Sequence, residues 1–149
     1  MIRVEKRLTV MKEHSASVCL PIDQRTKSRL KVTLDNGAEA GLFLPRGQIL
    51  RGGDLLESTD GMVIRVEAAA ETVSTVHSSD AHALAKVCYH LGNRHVPLQI
   101  AATWARYQHD HVLDNMVAGL GLEVVVEQAP FEPEAGAYQS SNHKHNHDH

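Results

Sequence analysis

The sequence predicts an α+β protein: a small all-β domain, then a ferredoxin-like β-α-β-β-α-β domain, then a disordered histidine-rich tail. Three features predict it. The first half alternates apolar and polar residues between glycine-rich turns, with no helical period. The second half sets two capped, amphipathic stretches among short strand-like runs. The chain then closes on the run HKHNHDH. The boundaries fall at residues 1–70, 71–136 and 137–149.

In the first half, Leu30, Val32 and Leu34 alternate with polar residues up to Asn36-Gly37, a strong hairpin signal. Leu42-Phe43-Leu44 forms the return, and Pro45-Arg46-Gly47 breaks it. Gly52-Gly53-Asp54 is a turn, Leu55-Leu56 a short strand, Asp60-Gly61 a further hairpin, and Met62–Val66 the strand leaving it. In the second half Thr72–His77 reads as a strand and Ser78-Ser79-Asp80 as a helix cap. Leu84, Val87, Cys88 and Leu91 recur at helical spacing, with Gly92-Asn93 as the stop. Leu98–Ala102 and Trp104–Gln108 follow as strands. Asp110 caps a helix carrying Leu113, Met116, Val117 and Leu120, Gly121 ends it, and Leu122–Glu127 is the closing strand. That element order is the ferredoxin-like split βαβ. Beyond Pro130 and Pro133 the composition turns to that of a tail.

Composition excludes several functions. Apolar residues make up 42% of the 149, enough for folded cores. A net charge of −3 argues against a nucleic-acid surface. Met1–Lys6 lacks the apolar stretch of a signal peptide and no run reaches membrane-spanning length, so a soluble cytoplasmic protein is expected. Cys19 and Cys88 form neither a CxxC pair nor a disulfide framework. There is no phosphate-binding loop, and Ser78, Ser79 and Asp80 beside His77 make a better helix start than a nucleophile site. Glu132 and Glu134 read as solvated. No enzyme is expected.

The eleven histidines remain. Imidazole is the commonest protein ligand for nickel, copper and zinc. His143, His145, His147 and His149 are spaced by Lys144, Asn146 and Asp148, unlike the uninterrupted run of a purification tag. His95 sits at a helix-to-strand junction before Pro97. Position alone fits either an ordinary junction histidine bonded to a carbonyl or half of a site that a second copy completes across a twofold axis. His109 and His111 flank Asp110, which can cap a helix or offer a carboxylate oxygen; surface histidines and a peripheral metal pair fit equally. His14, His77, His82 and His90 read as surface or cap residues, and Cys88 as core.

The stretch Tyr89-His90-Leu91-Gly92-Asn93-Arg94-His95-Val96-Pro97-Leu98-Gln99-Ile100 resembles the signature of the UreE family of urease accessory nickel chaperones. His109-Asp110-His111-Val112-Leu113 and Pro130–Tyr138 resemble it too, as does Leu42–Gly47 with Gly53-Asp54, so the likeness runs through the chain in order. It implies a homodimer with an N-terminal peptide-binding-type β domain and a C-terminal metal-binding domain. It implies that His95 of both subunits holds nickel at the interface, that His109 and His111 form peripheral sites, and that the tail varies. It also implies work with urease apoprotein and accessory proteins including a GTPase. Ni(II) is then the cargo, with Cu(II) or Zn(II) also able to bind. Two other readings are a histidine-rich metal buffer or sensor without a client, and a peptide-binding module like those of J-protein chaperones.

Overall fold

The computed structural model describes residues 1–139, which divide into two compact units between Ala69 and Ala70. The histidines at 143, 145, 147 and 149 lie outside the described residues.

In the first unit, alternating residues build a six-stranded sheet from β1 (Ile2–Arg7), β2 (Ala16–Leu20), β3 (Arg29–Thr33), β4 (Glu39–Phe43), β5 (Leu55–Ser58) and β6 (Val63–Ala68). The order is β2-β6-β5-β1-β4-β3, with β1/β4 and β2/β6 parallel and the other pairs antiparallel. The Asn36-Gly37 signal is a real turn: Gly37 has φ 87°, and the Asn36 carboxamide accepts the Ala38 N–H at 2.9 Å. Val4, Val18, Val32, Leu42, Leu56 and Ile64 supply the inward faces of one apolar core. The expectation of a purely β unit needs correction, because Ile22–Arg25 forms a short helix, α1, behind Pro21. Its Arg25 is fully buried and donates to the Leu20 and Leu50 carbonyls at 3.0 and 3.1 Å, replacing water with backbone acceptors.

The second unit runs β7 (Ala70–His77), α2 (Ala81–Asn93), β8 (Gln99–Ile100), β9 (Trp104–Gln108), α3 (His111–Gly119), β10 (Val124–Pro130) and a final turn, α4 (Gly136–Gln139). The sheet order is β10-β7-β9-β8 and every neighbouring pair is antiparallel. Leu84, Val87 and Leu91 of α2 and Val117 of α3 bury against Val76, Ala105 and Tyr107 of the sheet, the apolar faces that helical spacing marked out. Three boundaries shift from expectation. β8 is only two residues, β10 starts and ends later than Leu122–Glu127, and residues expected in a tail from 137 begin instead within α4. The proline-rich exit is also packed, with Phe131 fully buried and the Glu134 N–H bonded to the Leu98 carbonyl at 2.8 Å.

Candidate metal centre

Helix α2 ends at Asn93, within the Gly92-Asn93 pair expected to stop it, and Arg94 is its C-cap. His95 then donates its N–H to the Gly92 carbonyl at 3.0 Å, and Val96 donates to the Leu91 carbonyl at 3.2 Å. This is a Schellman ending with His95 in the left-handed position that glycine usually fills. Its φ is 59°, and among the described residues it alone is a non-glycine with positive φ. The conformation costs an L-residue about 1–2 kcal/mol. Glycine usually fills this position, and here the side chain that replaces it is exposed. Val96 packs on the α2 core beside Leu91, anchoring the junction from behind.

His95 and His109 line one concavity of about 390 Å³, together with Val96, Pro97, Gln108, Asp110 and Leu113. A second concavity, of about 310 Å³, is also lined by His95, with Cys88, Leu98, Ile100 and Glu134 among others. Burial raises the pKa of the Cys88 thiol, which disfavours the thiolate a metal would need.

His109 directly follows β9 and is held from beneath. Its Nδ1 lies 3.1 Å from Ser74 Oγ and 3.1 Å from Asp114 Oδ2. The other oxygen of Asp114, Oδ1, accepts the Tyr107 hydroxyl at 2.6 Å. Tyr107 is fully buried, and burial, followed by the bond to Asp114, pushes its phenol well above the usual range, so it stays a donor. Sequence reasoning missed this group. The available signal was an acidic residue in the first turn of α3, next to a His-Asp-His run.

Asp110 is committed to capping: its Oδ1 accepts the Val112 and Leu113 N–H groups at 2.8 and 3.2 Å. His111 occupies the first turn of α3, is exposed, and does not line the His95–His109 concavity. His14, His77 and His82 are exposed, and His90 stacks edge-on with Tyr89 at 5.3 Å. Among the described residues no group of three or more His, Cys, Asp or Glu is gathered to hold an ion. The described residues thus place two imidazoles, His95 and His109, along one concavity.

Residues 3–69 match the family described as UreE urease accessory protein, N-terminal domain, and residues 71–149 match its C-terminal domain. The chain belongs to the UreE family. It is 64% identical over 147 residues to the urease accessory protein UreE of Tolumonas auensis, covering 94% of this chain and 77% of that one. It is 60% identical over 144 residues to the UreE of a Pseudomonas putida strain, covering 96% and 89%. It is 59% identical over 140 residues to that of Vibrio parahaemolyticus, covering 91% and 88%. The UreE description is of an accessory protein, not an enzyme. No helix among the described residues of this UreE chain is long and apolar enough to cross a membrane.

Proposed function

We propose that this chain is a nickel metallochaperone that delivers Ni(II) for assembly of the urease active site. The observation that carries the reading is His95, an exposed imidazole kept at a backbone position that disfavours any side chain. A transition metal needs more donors than one such histidine, and a second copy of the chain supplies the matching one across a twofold axis. Ile100, 48% exposed and beside His95 in the same concavity, gives an interface apolar surface to cover. The unit is then the ferredoxin-like metal-binding domain of a cytoplasmic homodimer. Its first domain is of the peptide-binding type, and its partners are urease apoprotein and accessory proteins including a GTPase.

Ligand type fits a carrier. Exposed imidazoles exchange stepwise, whereas four thiolates in a closed site would retain a metal. His109 and His111 act as peripheral ligands, and His143, His145, His147 and His149 add donors of the same kind, able to take Cu(II) or Zn(II) as well. The test is stoichiometry. Nickel titration of the full chain, with the mass of the species followed by sedimentation, should show the tightest event saturating at one ion per two chains. One ion per monomeric chain at that event would overturn the shared site.

A further inference from the structure

We infer that Asp114, Ser74 and Tyr107 form a positioning group that fixes the ring of His109 so that Nε2 is the nitrogen presented to metal. This rests on the reading of His109 as a ligand and goes beyond it. An imidazole has two nitrogens, and the one that binds a metal is decided by what holds the other. At His109 the held nitrogen is Nδ1. An ionised carboxylate has only lone pairs to offer, so Asp114 Oδ2 at 3.1 Å repels an Nδ1 lone pair and favours an Nδ1 proton. Ser74 Oγ, also 3.1 Å away, accepts that proton in a hydrogen bond. The neutral ring is then left with its lone pair on Nε2.

The group is built to stay in place. Ser74 of β7 and Tyr107 of β9 are both fully buried, and the side chain of Asp114 on α3 is only 15% exposed. The Tyr107 hydroxyl holds Oδ1, so the carboxylate cannot swing away from His109 without losing a 2.6 Å hydrogen bond. The His109 side chain is 37% exposed and lines the concavity it shares with His95. A buried base, a half-exposed ring and an open second nitrogen are what a metal-binding histidine supported by a carboxylate requires. A network serving only to tie α3 to the sheet would not need the ring at all, since the Tyr107–Asp114 bond already makes that tie.

Two measurements on the full chain test this. In metal-free protein, ¹⁵N NMR of the His109 ring should show Nδ1 protonated and Nε2 bare; a predominant Nε2–H form would overturn the assignment. In nickel titrations, Asp114→Asn should weaken the binding event that His109→Ala removes by about 10-fold or more, and leave the tightest event unchanged. Tyr107→Phe should weaken the same event by less. If His109→Ala changes nothing, the ligand reading of His109 itself fails, and this inference with it. If His109→Ala weakens binding and Asp114→Asn does not, only the positioning role is overturned.

Discussion

The two histidines that share a concavity are held there by opposite means. His95 is placed by backbone: a Schellman ending, a φ of 59° and the packing of Val96 against the Leu91 core fix where its side chain leaves the chain. His109 is placed by side chains, through Ser74, Asp114 and the buried Tyr107 beneath its ring. A backbone-held ligand whose side chain is exposed, as that of His95 is, should tolerate loss of that side chain. A side-chain-held ligand depends on neighbours that never touch the ion. The first device suits the ligand that we propose two copies share at one axis, the second the ligand that we propose is aimed within one unit.

That contrast can be broken at either end. The largest effect is expected from Leu91→Ala. Leu91 is fully buried and its carbonyl receives the Val96 N–H, so the substitution should cost about 2–5 kcal/mol of stability and loosen the His95 junction. Chemical denaturation checks it; a loss much below that range would show that the junction does not lean on the α2 core. His95→Gly comes next and has the opposite sign. Relief of the left-handed penalty, about 1–2 kcal/mol, outweighs the added chain entropy of glycine, about 0.5–1 kcal/mol. Metal-free protein should therefore gain stability while losing its tightest nickel event. A destabilised glycine variant would mean the imidazole does support the fold. Asp110→Ala removes an N-cap bonded to two backbone donors and should cost about 1 kcal/mol. It should leave the His95-dependent event intact, which nickel titration of the variant would show.

Much of this was legible from residue pattern. Alternation at Leu30–Leu34 and helical spacing at Leu84, Val87 and Leu91 mark faces that the structure buries. The stop at Gly92-Asn93 is legible, but the left-handed residue that closes it is not, because such positions usually carry glycine and here His95 takes it. Helix α1 is too short for a period to show. His95 was legible as a candidate from its junction and motif. Its sharing of a concavity with His109 was not, because that depends on where α2 ends against β9. The Tyr107–Asp114 contact likewise joins a strand to a helix, and Ser74 reaches His109 only through the β7/β9 register that sets it opposite Tyr107. Local pattern carries no information about such register.

The measurement closest to the central claim is nickel titration of the full chain beside His95→Ala under matched conditions. The account predicts that the alanine variant folds and melts as the parent does, yet loses the tightest event, with affinity lower by at least tenfold, about 1.4 kcal/mol. A tight event of unchanged affinity in that variant would contradict the assignment of His95 as the ligand that makes this chain a nickel carrier.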